Sequence, residues 1–317
     1  MTATLPARPL DPAKFRDAEV TARGERRATV PLSGLRTLWI NTGTLCNITC
    51  RSCYIESSPR NDALVYLTAA EAEAYLEEAA REAMPLEEVG FTGGEPFLNR
   101  DLPAMLRATM SRGLRALVLT NAMKPMRNRA RELLELRDAF GPLLTLRVSL
   151  DHHDAVLHDL ERGEGAFAQS LEGLEWLARH GFTVHVAARA GFDAEGEASM
   201  RAGFARLFAQ HGIPIDATDP VALMLFPEMD AGSDVPEITE ACWGILRKSP
   251  DSVMCASTRM VVKRRGAARP AVIACTLLPY DPRFELGATL AEAARPVSLN
   301  HPHCAKFCVL GGAACSR

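Results

Sequence analysis

The sequence predicts an α/β protein: a partial (βα)6 barrel of the TIM type followed by a small cysteine-rich C-terminal domain. Three observations carry that prediction. From about residue 37, short β-branched or apolar runs alternate with longer amphipathic segments, the order in which βα units build a parallel sheet. Distinctive polar residues fall at the ends of those runs. Beyond about residue 236 the alternation stops, and six of the nine cysteines gather there. With 47% hydrophobic and 24% charged residues in 317, the chain has apolar material for a sizeable core.

Residues 1–36 read as an N-terminal extension. Its start, "MTATLPARPLDPAKFRDAEV", is Pro-rich and charged and lacks the apolar core of a signal peptide. Residues 37–236 hold the barrel, with candidate strands "TLWINT", "EEVGFTGG", "RALVLTNA", "LTLRVSLD", "TVHVAARA" and "VALMLFP". Between them, "TAAEAEAYLEEAARE" opens with Thr68 and Glu71 in capping-box spacing, and "AFAQSLEGLEWLARHG" closes on Gly181 as the glycine past a helix end. In such barrels chemistry gathers where strands end. Cys46 follows the first run, "GGEP" the second, "TNA" the third, "SLD" the fourth, and Arg189 ends the fifth. Singly, several of these are ordinary turn residues; together they mark one mouth.

Residues 237–317 form the second domain. "EITEACWGILRK" predicts a helix, with Cys242 packed among apolar neighbours. "SVMCASTRMVVKRRGAARPAVIACTLL" predicts a β-hairpin whose loop holds Gly266 and Pro270 and which Cys255 and Cys275 bracket. The tail "HPHCAKFCVLGGAACSR" adds Cys304, Cys308 and Cys315.

A formal net charge of -3 gives no support for a phosphate-backbone groove, so nucleic acid is not an expected partner. The basic run "KRRGAAR" reads as a solvated turn. No apolar run reaches 18 residues, so no membrane association is expected and the reading is cytoplasmic. Reduced thiols in that compartment point to metal rather than disulfides.

The triplet Cys46, Cys50 and Cys53 is one ligand short of a closed zinc or iron–sulfur site. An open coordination position suits a bound substrate or cofactor. "CNITCRSCY", followed some forty residues on by "FTGGEPFLNRDL", resembles the radical S-adenosylmethionine (SAM) superfamily. The resemblance implies that the three cysteines hold three irons of a [4Fe-4S] cluster and that SAM chelates the fourth. It implies reductive cleavage of SAM to a 5′-deoxyadenosyl radical, which abstracts hydrogen from a substrate. An electron donor such as flavodoxin or ferredoxin is implied with it.

Carried over residue by residue, the resemblance places Gly93, Gly94, Glu95 and Pro96 at the methionine ammonium and Tyr54 near adenine. It places Asn121 facing SAM, Ser149 and Asp151 at the ribose, and Arg162 of "HDLERGEGAF" at the methionine carboxylate; Arg189 joins the SAM side of the mouth. The C-terminal cysteines resemble an abbreviated SPASM or Twitch module, in which four of Cys255, Cys275, Cys304, Cys308 and Cys315 would hold an auxiliary [4Fe-4S] cluster, with zinc on the same thiolates as the alternative.

The substrate is expected to be a small molecule in a biosynthetic oxidation or rearrangement, because only 36 residues precede the first strand where peptide maturases often carry a longer leader-binding domain. Maturation of a ribosomal peptide is the alternative, and a non-catalytic iron–sulfur or zinc protein a distant one. "LMLFPEMDAG" places Glu228 and Asp230 as candidate substrate-side carboxylates, with a solvated turn as the competing reading. His152, His153 and His158 follow the fourth strand as capping residues or a proton relay.

Overall fold

Every residue of Thr37–Asn41 is buried, as a strand must be when a parallel sheet is covered on both faces. The structure, a computed structural model, describes residues 8–190, 196–227 and 230–311. Its strands in chain order are β1 (Thr29–Val30), β2 (Thr37–Asn41), β3 (Glu88–Thr92), β4 (Arg115–Thr120), β5 (Leu144–Ser149), β6 (Thr183–Arg189), β7 (Leu223–Phe226), β8 (Thr258–Val262), β9 (Ala271–Ile273), β10 (Glu285–Gly287) and β11 (Val297–Ser298). The helices are α1 (Ala69–Arg81), α2 (Leu102–Met110), α3 (Lys124–Arg127), α4 (Ala130–Phe140), α5 (Ala155–Arg162), α6 (Ala166–Arg179), α7 (Glu197–Gln210) and α8 (Cys242–Leu246).

All six expected runs are strands, and β2 to β7 pair in sequence order, each parallel to the next. The helices between them bury single faces. On α1, Ala72, Tyr75, Leu76 and Ala79 face inward at helical spacing, and Thr68 and Glu71 cap it reciprocally as the sequence predicts. On α6, Gly173 lies so near the loop after β4 that a Cβ would stand 1.8 Å from the Ala122 carbonyl oxygen. That contact fixes how closely α6 covers the sheet.

The cysteine-rich segment continues this sheet. The expected hairpin forms as β8 and β9, and β8 runs parallel to β2 from Thr37 opposite Thr258 to Ile40 opposite Val261. The full order is β10-β9-β8-β2-β3-β4-β5-β6-β7. The N-terminal stretch is sewn to the same region. β1 pairs with β11, and the buried Arg27 guanidinium meets Glu237 at 2.5 Å.

That ion pair explains one departure from expectation. The helix predicted over 237–248 contracts to α8, because Glu237 also accepts the backbone N–H groups of Phe15 (2.7 Å) and Ala22 (2.6 Å), and Thr239 bridges to Arg27. The Ile238 carbonyl accepts the Ala28 N–H at 2.9 Å and the Glu240 N–H donates to the Arg26 carbonyl at 3.1 Å, and backbone groups paired across the chain in this way are not free for helical bonds. Cys242 is half-buried at the start of α8, its sulfur 3.4 Å from the Thr239 N–H.

Candidate active site

The loop leaving β2 carries the three cysteines and is held from two sides. On one side the Cys46 N–H donates to the Ser58 carbonyl at 3.0 Å. On the other, Gly94 N–H donates to the Gly43 carbonyl at 2.8 Å and Glu95 N–H to the Leu45 carbonyl at 3.1 Å. This second contact explains both glycines. A Cβ on Gly93, whose φ is +135°, would lie 2.4 Å from the Gly43 oxygen, and one on Gly94 would lie 2.1 Å from the Leu45 oxygen. The loop after β3 therefore seats directly on the backbone that presents Cys46.

Glu95 is 2% exposed and set back behind the wall, where it accepts from Thr120 Oγ1 (2.9 Å), Asn121 N (2.9 Å) and Phe97 N (3.2 Å). Burial pushes its carboxyl up to about 7, against those hydrogen bonds. A cation arriving at this group would restore its charge. Pro96 opens the short 3-10 turn that follows. Asn121 spans the gap, donating to Asn47 Oδ1 at 2.9 Å with Cys46 Sγ 4.0 Å away.

The far side belongs to β5, α5 and β6. Arg162, expected to offer its fork to a carboxylate of the cofactor, closes it here on Asp151, with Nε at 2.7 Å and Nη2 at 2.9 Å. Burial pushes the Asp151 carboxyl up, and Arg162 more than offsets it, holding the group below its ordinary value. Next door, Glu161 accepts the Arg51 N–H on its carbonyl at 2.8 Å, while its carboxylate accepts the Ser52 hydroxyl and Arg189 at 3.4 Å. Glu161 and Arg189 thus clamp the very turn between Cys50 and Cys53. The spacing of the cysteines carried no hint of this clamp, in which Ser52 lines the cavity and Glu161 holds it from behind.

These groups border one cavity of about 200 Å³. Cys46, Cys50, Cys53, Tyr54, Gly93, Gly94, Asn121, Ser149, Asp151, Arg162 and Arg189 all line it, from five different strand ends. Part of its lining is apolar: Leu119, Ala187, Ala188, Leu277 and the ring pair Phe226 and Phe307, stacked with centroids 5.9 Å apart. Burial pushes the Cys46 thiol up to about 12, with Glu95 and the other two cysteines adding to it, and burial likewise raises Cys50. Protons on such thiols are what a bound metal replaces. Among the described residues no three His, Cys, Asp or Glu side chains are close enough to hold a single ion. All three cysteines border the cavity, a thiolate set one protein ligand short of a closed iron–sulfur site.

A second, smaller cavity of about 20 Å³ lies under β8 and β9, lined by Cys255, Cys275, Cys304 and Cys308 together with His303. Cys304 and Cys308 share one face of a π-helical turn, Cys304–Leu310, a geometry that recurs at functional sites. Burial pushes Cys255 up to about 11 and raises Cys304 well above the ordinary thiol value. Leu277 lines both cavities, and Phe307 projects from the π-helical turn into the first. Both positions escaped sequence reasoning, since nothing local distinguishes them from core residues.

Glu228 and Cys315 lie outside the described residues. Asp230 does not line the cavity; it accepts the Gly232 N–H at 2.7 Å and the Ser233 hydroxyl, as a turn residue does. The three histidines are absent from the lining as well. His158 Nδ1 accepts the Asp151 N–H at 3.1 Å, His152 Nδ1 accepts the Asp154 N–H at 2.8 Å, and His153 packs edge-on against Phe204.

The family model described as Radical SAM superfamily matches residues 40–201. Among curated proteins, the antilisterial bacteriocin subtilosin biosynthesis protein AlbA of Bacillus subtilis is 32% identical over 148 residues, 45% of this chain and 30% of AlbA. An AdoMet-dependent heme synthase of Oleidesulfovibrio alaskensis is 31% identical over 146 residues, 44% of this chain and 34% of the synthase. The matched stretch thus spans about a third of those relatives. Streptococcus suis SuiB bound to S-adenosylmethionine superposes with a TM-score of 0.58 at 13% identity, over 81% of this chain and 64% of SuiB. Tagged anSMEcpe with bound AdoMet gives 0.58 at 16%, over 82% and 77%. At these identities the structural likeness speaks for the fold.

Proposed function

The chain belongs to the radical SAM superfamily, and we propose that it is an enzyme that cleaves SAM reductively and abstracts hydrogen from an apolar part of a peptide or small-molecule substrate. The observation that carries this reading is the single cavity in which the cysteine triplet, the glycine pair after β3 and the polar ends of β4, β5 and β6 meet an apolar wall. When bound, a [4Fe-4S] cluster and SAM supply the electron and the radical; the chain supplies everything that aims them. Cys46, Cys50 and Cys53 would hold three irons, and the fourth would be left to the amino and carboxylate groups of SAM. Glu95, made reluctant to ionise by burial, gains from a nearby ammonium. The Asp151–Arg162 pair presents hydrogen-bonding edges to the cavity, with the Ser149 hydroxyl beside it.

The apolar part of the lining would shape the space offered to a substrate. Phe226, Phe307, Leu277 and the alanines of β6 offer dispersion contact and exclude water, so a substrate group lying there loses little by being uncharged. The C-terminal cysteines would hold an auxiliary [4Fe-4S] cluster in the second cavity, which shares Leu277 with the first. Names among the relatives point to both substrate classes: AlbA is named for bacteriocin biosynthesis, SuiB has been solved with the precursor peptide SuiA, and the synthase is named for heme.

The test is SAM turnover. Anaerobically reconstituted, dithionite-reduced protein is expected to form 5′-deoxyadenosine, and the Cys46→Ala, Cys50→Ala, Cys53→Ala triple variant to form none while keeping about half the iron. Cleavage retained by the triple variant would sink the proposal.

A further inference from the structure

Arg259 is 1% exposed on β8, and among the described residues it meets no carboxylate. Its fork is spent on four carbonyls: Nε to Ala293 at 2.8 Å, Nη1 to Cys255 at 2.6 Å and Thr258 at 2.7 Å, and Nη2 to Arg295 at 3.2 Å. Carbonyls satisfy the N–H groups but supply no unit of negative charge, and an isolated buried cation is costly. The contrast with Arg27 is direct. That guanidinium, equally buried near the same cysteines, has Glu237 against it.

What Arg259 does have nearby is Cys255, four residues earlier, which it grips by the carbonyl and whose side chain lines the small cavity with Cys275, Cys304 and Cys308. Four thiolates around iron carry net negative charge, and the potential of such a cluster responds to neighbouring charge and to hydrogen bonds at sulfur. One such bond is in place, from the Leu277 N–H to Cys275 Sγ at 3.4 Å.

We propose that Arg259 is the counter-charge of an anionic metallocluster in the C-terminal cavity, fixing Cys255 through its carbonyl and raising the cluster's reduction potential. This rests on the auxiliary-cluster reading above. Arg259 acts through its charge and through Cys255, as a positioning residue that touches neither substrate nor SAM.

The experiment is a potentiometric titration followed by electron paramagnetic resonance, on the full chain reconstituted with iron and sulfide. The auxiliary signal is the one that persists in the Cys46→Ala, Cys50→Ala, Cys53→Ala variant. At the wild-type midpoint, Arg259→Met should raise the oxidised-to-reduced ratio at least tenfold, a shift of about 59 mV for one electron. Arg259→Lys, which keeps the charge and loses the fork, should shift it by less than tenfold. An Arg259→Met protein with a full auxiliary cluster and an unchanged ratio overturns the proposal. If Arg259→Met retains no auxiliary iron, Arg259→Lys decides: a cluster assembled with a small shift supports the counter-charge role, and loss of auxiliary iron from a variant that still cleaves SAM overturns it. Wild-type protein whose iron disappears entirely with the triplet overturns the auxiliary-cluster reading itself, a separate result.

Discussion

Replacing Gly94 by Ala tests whether the loop after β3 and the cysteine loop are one mechanical unit. The added Cβ would stand 2.1 Å from the Leu45 oxygen, 2.6 Å from the Leu45 carbonyl carbon and 2.8 Å from the Thr44 oxygen, all of them backbone. No rotamer change relieves a clash with main chain, so the two loops must part. Overpacking of this kind costs about 1–3 kcal/mol. Separation also strains two hydrogen bonds, Gly94 N to Gly43 O and Glu95 N to Leu45 O, each with a net value of about 1 kcal/mol. The sum, about 3–5 kcal/mol, is a large share of the roughly 5–15 kcal/mol by which domains are stable. Denaturant unfolding of the metal-free protein should show a lower midpoint at unchanged slope. Reconstituted Gly94→Ala should lose most of the iron attributable to Cys46, Cys50 and Cys53 and keep the remainder. Gly244→Ala, on α8 with open space around it, is the control and should be neutral or slightly stabilising. Wild-type midpoint and full iron in Gly94→Ala would refute the coupling.

Two further outcomes follow from the site. Asp151→Asn leaves the buried Arg162 cation uncompensated, which should cost on the order of 3 kcal/mol at neutral pH. Because folding lowers the Asp151 pKa, its stabilisation is fully present above the ordinary carboxylate value of about 3.9 and is lost as pH falls through the lower folded value. The gap between wild type and Asp151→Asn should therefore be full from pH 5 to 7 and narrow below about pH 4, as read by denaturant unfolding; a gap constant down to about pH 3 would contradict the pairing. Asp230→Asn keeps an acceptor for Gly232 and Ser233, so its stability should change by less than about 1 kcal/mol and its SAM cleavage should match wild type; loss of cleavage would place Asp230 at the cofactor after all.

The barrel was legible because its evidence is local. Six apolar runs, helical spacing on α1 and α6, the capping box at Thr68 and the positive-φ glycine at 181 each depend on residues within one turn or one strand of each other. The helix over 237–248 misled for the complementary reason. Its pattern is helical, but Glu237 is engaged by Arg27 and by the backbone at Phe15 and Ala22, more than two hundred positions away. A distant buried ion pair outweighs local propensity, which is worth at most about 1 kcal/mol per ordinary residue.

By itself, then, the sequence determined the α/β class, the succession of six strand-plus-helix repeats and the kind of chemistry, because three cysteines at close spacing and a glycine pair past the next strand are written contiguously in the chain. Only the tertiary structure decided which groups answer one another. It closed Arg162 on Asp151, set Glu161 and Arg189 on Ser52, and stacked Phe226 on Phe307 across 81 positions as the apolar wall. It also paired β8 with β2, joining the cysteine-rich segment to the barrel sheet, and left Arg259 buried beside Cys255 with no acid against it among the described residues. Spacing along a chain encodes contacts within an element; contacts between elements arise from how faces bury against each other, and that is fixed only when the whole sheet has formed.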